Sequence, residues 1–135
     1  MELILGVNLE PNRNLVEFMK PKSMGERDWG EEILIALSPG NYTLKKLFIK
    51  AGKKGGLQYH HLKDESGYVV FGSLIIRHDN GQGELIETIV KEGEWFRFPP
   101  NSVHQEEAIT DCLIIEASTP HYNDRVRVEK EYGLK

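Results

Sequence analysis

The strongest constraint on this chain is its punctuation. Short runs rich in β-branched and aromatic residues recur at regular intervals, and turn residues close each one. The runs are Glu31 to Leu37, Tyr42 to Lys50, Leu57 to Leu62, Tyr68 to Phe71, Ser73 to His78, Glu84 to Val90, Trp95 to Phe98 and Ile109 to Ser118. Ser38-Pro39-Gly40-Asn41, Gly52 to Gly56 and Pro99-Pro100 separate some of them, and Asp79-Asn80-Gly81-Gln82-Gly83 is a strong hairpin signal. Asn-Gly takes the positive-φ conformation of a tight turn at little cost. No long amphipathic helix interrupts the pattern, so the chain reads as an all-β sandwich or barrel. Residues 1–30 look irregular, broken by Pro11, Pro21 and Gly25, and the charged tail from Asp124 to Leu134 reads as a short helix or an extended segment.

At 135 residues, one domain is expected. A formal net charge of -4 argues against non-specific nucleic-acid binding, which needs a basic face. No apolar run approaches the roughly 20 residues that span a bilayer. The opening MELILGVNLEPNRN lacks the basic and apolar blocks of a signal peptide, and a soluble cytoplasmic protein is expected. The single cysteine, Cys112, rules out an internal disulfide and a cysteine-cluster zinc site. Inside an apolar run, it reads as a small core residue rather than a nucleophile.

Gln58, His60 and Glu65 are potential metal ligands close together in the chain. On a strand, Gln58 and His60 point to the same face. Glu65 follows a turn, from which a neighbouring strand returns its carboxylate to that face. His104, after Pro99-Pro100-Asn101, is the natural fourth ligand. Such an N/O set suits Zn, with Mn, Fe, Co or Ni also compatible, and leaves positions open for a substrate. The competing reading is a coincidence of polar residues in a loop. His61 faces away from His60 and reads as solvated, while His78 and His121 flank turns and read as surface residues.

The spacing Gly52-x5-Gln58-x-His60-x4-Glu65-x6-Gly72 resembles the first cupin motif, with Gln in place of the first His. Gly93-x5-Pro99-x4-His104 resembles the second, with Asn101 at its usual Gly and Ala108 at its closing Asn. The Gln-x-His form is similar to the cupin (C-terminal) domain of type II mannose-6-phosphate isomerases. Arg27-Asp28-Trp29-Gly30, Lys45 to Ile49, Leu57 to His61, Ile115-Glu116 and Asp124 to Gly133 carry that likeness, which runs from about Arg27 to Gly133. Where that family has a third His, an Arg and an aromatic residue, this chain has Leu62, Lys63 and Gly67.

The resemblance implies a small cupin, a double-stranded β-helix or jelly-roll barrel with an irregular N-terminal arm. Residues 1–26 would form the arm, 27–119 the barrel and 120–135 the tail. It implies a divalent metal, zinc first, on Gln58, His60, Glu65 and His104, and aldose–ketose isomerisation of a sugar or sugar phosphate. For the chemistry, Glu116 is the candidate base, and Arg127 or Lys45 the cation for an anionic group. The plainer readings are a rim carboxylate paired with Lys for Glu116 and a surface ion pair with the acidic tail for Arg127. Lys45 and Lys46 alternate on one strand, so only one faces the interior. The rival functions are a metal-dependent dioxygenase and a non-catalytic small-molecule-binding cupin. Exposed strand edges and the arm Met1 to Glu26 point to a homodimer.

Overall fold

Residues 15–134 are described by a computed structural model. The strands are β1 (Lys22–Arg27), β2 (Gly30–Ser38), β3 (Tyr42–Ile49), β4 (Gln58–His60), β5 (Glu65–Phe71), β6 (Ser73–Asp79), β7 (Leu85–Lys91), β8 (Trp95–Phe98), β9 (His104–Ala108), β10 (Cys112–Ser118) and β11 (Arg125–Arg127). A single 3₁₀ turn, Lys130–Tyr132, follows. The strands form two antiparallel sheets, ordered β1-β2-β3-β10-β5-β8 and β11-β4-β9-β6-β7. The expected hairpin joins β6 to β7, with Asp79 opposite Leu85.

Alternation along the strands sets what lies between the sheets. One end of the interior is apolar: Leu47 and Ile49 of β3, Val69 of β5, Leu74 and Ile76 of β6, Val90 of β7, Phe98 of β8, Ala108 of β9, and Cys112 and Ile114 of β10 form one buried cluster. Cys112 is wholly buried, as a core residue should be. Continuing the same period, β3 next turns Lys45 inward, β5 Glu65, β9 Glu106 and His104, and β10 Glu116, so the same strands build a polar end. Lys45 lines that end, while Lys46 is not among the lining residues.

Gly72, between β5 and β6, has φ +96°, and a Cβ there would stand 2.3 Å from the Asp111 carbonyl oxygen. Only glycine fits both the backbone and the approach. Asn101 has φ 66°. It occupies the position where glycine is usual in the motif, and Asn is among the side-chain-bearing residues most tolerant of that region. Its N–H donates to the His60 carbonyl at 2.7 Å, tying the turn before His104 to the strand that carries His60.

Three elements depart from the sequence reading. The segment read as irregular contains β1, an edge strand pairing with β2. The described residues before it, 15–21, are exposed coil, and the part of the proposed arm in residues 1–14 lies outside the described residues. The last long strand starts at Cys112 rather than Ile109, because His104–Ala108 forms its own strand between β4 and β6. The tail is both extended and helical: β11 pairs with β4 before the 3₁₀ turn. No helix among the described residues is long and apolar enough to cross a membrane.

Candidate metal centre

Gln58 and His104 are register partners on β4 and β9. His60 projects from the same face of β4 as Gln58, and Glu65 starts β5 in the facing sheet. The Glu65 Oε1 atom lies 3.7 Å from His60 Nε2 and 3.5 Å from His104 Nε2. Ligand atoms of His60, Glu65 and His104 all fall within 4.8 Å of one another. Ligands about 2.0–2.2 Å from one ion stand about 3–3.5 Å apart in tetrahedral or octahedral geometry, so these separations suit a common ion after a small adjustment. Gln58 lines the same cavity, and its Oε1 is buried without a hydrogen-bond partner. His104 Nε2 is buried and unpartnered too. Leaving such atoms unsatisfied is costly, and a cation among them would use every one of these lone pairs. His60, Glu65 and His104 therefore bring their ligand atoms together in an arrangement that fits a divalent ion, and Gln58 lines the adjoining cavity.

The imidazoles are held in the orientation such an ion needs. The Nδ1 of His104 lies 2.9 Å from the Ser102 carbonyl oxygen. A carbonyl only accepts, so Nδ1 carries the proton and neutral His104 has its lone pair on Nε2. Phe98 stacks on that ring with centroids 3.8 Å apart. The Nδ1 of His60 donates to Asp124 Oδ1 at 2.9 Å, again freeing Nε2. The other carboxylate oxygen of Asp124 accepts from the backbone N–H of Leu62 at 2.6 Å and Lys63 at 2.9 Å. Burial pulls the His60 imidazole below its ordinary pKa against the opposing pull of Asp124 and Glu65, which favours the neutral, metal-binding ring.

The charged side chains of the cavity are coupled. Burial works to raise Glu65, but His104, the Lys63 ammonium and a hydrogen bond with Glu116 outweigh it and hold the Glu65 carboxyl low. The Lys63 Nζ lies 3.4 Å from Glu65 Oε2. Burial and the charge of Glu65 push Glu116 well above its ordinary value, which favours its neutral form. Burial and the same charge lift Glu106 to about 7, and its Oε2 is buried without a partner. On the same sheet as Glu65 and Glu116, Glu32 accepts from Lys45 at 2.7 Å and from Arg27 at 2.9 Å.

The other sequence candidates are placed differently. Glu116 and Lys45 line the cavity, and they are register partners on β10 and β3. Arg127 is absent from the lining. Its guanidinium lies on Glu129 and packs over Gly56, where a Cβ would come within 2.4 Å of it. That is the surface ion pair with the acidic tail named as its plainer reading. His61 is exposed as expected, whereas His78 and His121 are half-buried and hydrogen-bonded to Thr88 and Thr119.

Sequence reasoning left four residues without a role: Lys63, Glu106, Asp124 and Arg125. Glu106 was accessible, because a residue two positions from a ligand on a strand shares its face. Lys63 and Asp124 depend on turns and a tail contact that periodicity does not encode. The cavity encloses about 680 Å³ and has Trp29, Tyr122, Asn123 and Arg125 on its walls, room for a molecule the size of a substituted monosaccharide.

No protein-family model matches the chain. It is 31% identical over 134 residues to mannose-1-phosphate guanylyltransferase of Salmonella muenchen, a match covering 90% of this chain and 27% of that protein. The chain thus spans about a quarter of that relative's length. Among solved structures it resembles the capsular polysaccharide assembling protein CapF of Staphylococcus aureus, with a TM-score of 0.70, 24% identity, and coverage of 82% of this chain and 32% of that one. KdgF from Halomonas sp. matches at a TM-score of 0.61 and 21% identity, over 76% of this chain and 88% of that one.

Proposed function

We propose that this chain, a cupin by fold, binds a divalent metal through Gln58, His60, Glu65 and His104 and isomerises a sugar or sugar phosphate between aldose and ketose. The observation that carries the reading is the convergence of unpartnered lone pairs on Gln58, His104 and the neighbouring His60–Glu65 pair in a monosaccharide-sized cavity. The relatives' names supply the substrate class: a mannose-1-phosphate guanylyltransferase and a capsular polysaccharide protein both deal in sugars. The donor set of amide, imidazoles and carboxylate suits zinc first, then Mn, Fe, Co or Ni.

A bound divalent ion would supply Lewis acidity to a substrate carbonyl. The chain's own residues do the rest. Aldose–ketose conversion moves a proton between neighbouring carbons and between their oxygens, so the site needs a group that takes a proton and one that gives it. Glu116 faces the cavity and burial favours its neutral form, so it is the group placed to give a proton to a substrate oxygen and to take one from carbon. Glu106, lifted to about 7, is the second carboxyl at the cavity and comes from the facing sheet. Lys63 holds Glu65 ionised, and Lys45, fixed by Glu32, places positive charge opposite them. The half-buried Trp29 and the apolar floor of Leu47 and Ile49 exclude water from one side.

The homodimer belongs to this reading. The described end of the arm exposes Leu15, Val16, Phe18 and Met19, and β1 is the outermost strand of its sheet among the described residues. A sedimentation mass of two chains is expected; a mass of one chain at working concentration rejects this part.

The test of the activity combines elemental analysis with incubation of aldoses, ketoses and their phosphates in D2O. One equivalent of metal and exchange of a carbon-bound proton without O2 uptake are expected. O2 consumption with no exchange rejects the isomerase in favour of oxygenation. Stoichiometric metal with neither outcome leaves a binding protein.

A further inference from the structure

We infer that Arg125 recognises an oxyanion carried by the molecule that enters this cavity, a phosphate or a carboxylate on a sugar. The inference rests on the proposed metal-site reading for its sugar, and on the placement of Arg125 for its charge. β11 is antiparallel to β4, and Arg125 stands directly opposite His60 in the register. Directly opposed residues project from the same face of a sheet, with Cβ atoms about 4.5–5.5 Å apart. His60 points into the cavity, so Arg125 does as well, and it lines the wall beside Tyr122 and Asn123.

The other cations at the cavity have carboxylate partners. Arg27 and Lys45 share Glu32, and Lys63 lies against Glu65. Arg127, two residues along β11, is held by Glu129. Arg125 has no carboxylate partner among the described residues, and its side chain is exposed at the mouth. The carboxylates Glu32 and Glu65 are paired with those cations. Arg125 is therefore the cavity-lining cation left without a carboxylate of its own among the described residues, free to meet the anionic group of an incoming molecule. Its planar fork of donors matches phosphate and carboxylate oxygens, and the register sets it one side-chain length from His60. A monosaccharide coordinated beside His60 through one end would carry its anionic group toward Arg125.

The experiment is calorimetric titration of the purified chain, with its metal content measured, using mannose 6-phosphate, glucuronate and neutral mannose. The proposal expects at least one of the two anionic sugars to bind about tenfold or more tightly than mannose. That preference should fall with added NaCl. The better of the two identifies the oxyanion as phosphate or carboxylate. Arg125→Ala should abolish the preference while retaining the wild-type metal content, and Arg125→Lys should restore part of it. Equal binding of all three sugars, no binding of any, or an unchanged preference in Arg125→Ala overturns the proposal. So does loss of the preference in Arg127→Ala with Arg125→Ala intact. A wild-type chain that holds no metal but loses its charge preference in Arg125→Ala refutes the metal reading and leaves the role of Arg125 standing.

Discussion

Asp124→Asn tests whether the tail orients the ligand strand. One carboxylate serves three donors: the His60 ring at 2.9 Å through one oxygen, and the Leu62 and Lys63 N–H groups at 2.6 and 2.9 Å through the other. Asparagine has the same shape but a single acceptor oxygen. Turned one way, its amide N–H₂ faces two backbone donors; turned the other, it faces the protonated Nδ1 of His60. Either arrangement strands at least one donor and removes the charge that strengthened all three bonds. Hydrogen bonds to charged groups contribute about 1.5–3 kcal/mol each, and water reaches the exposed Leu62 end, so a loss of about 2 kcal/mol is expected. In urea, with a slope of about 1–3 kcal/mol/M, the midpoint of metal-free protein should fall by about 1 M. Loss of the group that orients a ligating imidazole should weaken metal binding by about 10–100-fold, read by competition with a chromophoric chelator. The pH profile supplies a third reading. Burial alone would raise Asp124, but its three donors hold it at about 2, below its ordinary value of 3.8. Its folded pKa is depressed, so its stabilisation is complete above 3.8 and is lost as pH falls toward about 2. The variant should lack that part of the acid limb. A variant matching wild type in urea midpoint, metal affinity and acid limb would refute the reasoning.

Four further outcomes follow from the same geometry. His60→Ala should lose the metal, and full occupancy by elemental analysis would count against the ligand set. Glu116→Gln should keep the metal yet slow carbon-bound proton exchange by about 10²–10⁴-fold, the usual worth of a positioned acid–base group; wild-type exchange would remove Glu116 from the reaction. Gly72→Ala should cost about 2–4 kcal/mol by denaturant unfolding, since the new Cβ meets the Asp111 carbonyl in a backbone conformation that alanine resists. Glu129 accepts from Arg127 and from the N–H of buried Leu57, and is held at about 2. Its stabilisation is present above 4.5 and fades as pH falls toward about 2, so Glu129→Gln should flatten that limb by about 1 kcal/mol after allowance for solvent screening.

The elements readable in the sequence are those that bury apolar side chains. β3, β6 and β10 announce themselves by β-branched residues, and the β6–β7 hairpin by Asn80-Gly81. β9 does not: its sequence is His-Gln-Glu-Glu-Ala, and of its three inward positions only Ala108 joins the core, while His104 and Glu106 belong to the site. A strand that turns chemistry inward loses the hydrophobic period by which strands are recognised. β1 and β11 are short and polar for a different reason, being sheet edges. The spacing of the candidate ligands was legible because Gln58 and His60 share one strand face and Glu65 and His104 follow recognisable turns. The residues that orient those ligands were not, since Asp124 reaches His60 across 64 positions of chain, and nothing local in the sequence marks such a contact.

The Lys63 and Gly67 departures from the resembled isomerase domains now have a physical reading. Gly67 faces inward on β5 opposite Phe96, and a Cβ there would fall 2.3 Å from the Phe96 ring. The aromatic surface absent at position 67 is thus supplied from β8, and glycine is what admits it. Lys63 keeps a positive charge against Glu65, but an ammonium is a single point of charge where a guanidinium offers a planar fork. A planar cation without a carboxylate partner among the described residues stands at Arg125, on β11 opposite His60 in the register. Moving that fork from the turn after the ligand strand to β11 changes the direction from which an oxyanion is held, while leaving the metal ligands untouched. On the proposed metal reading, such a relocation would change how a substrate lies against the ion and hence which carbon is presented to Glu116.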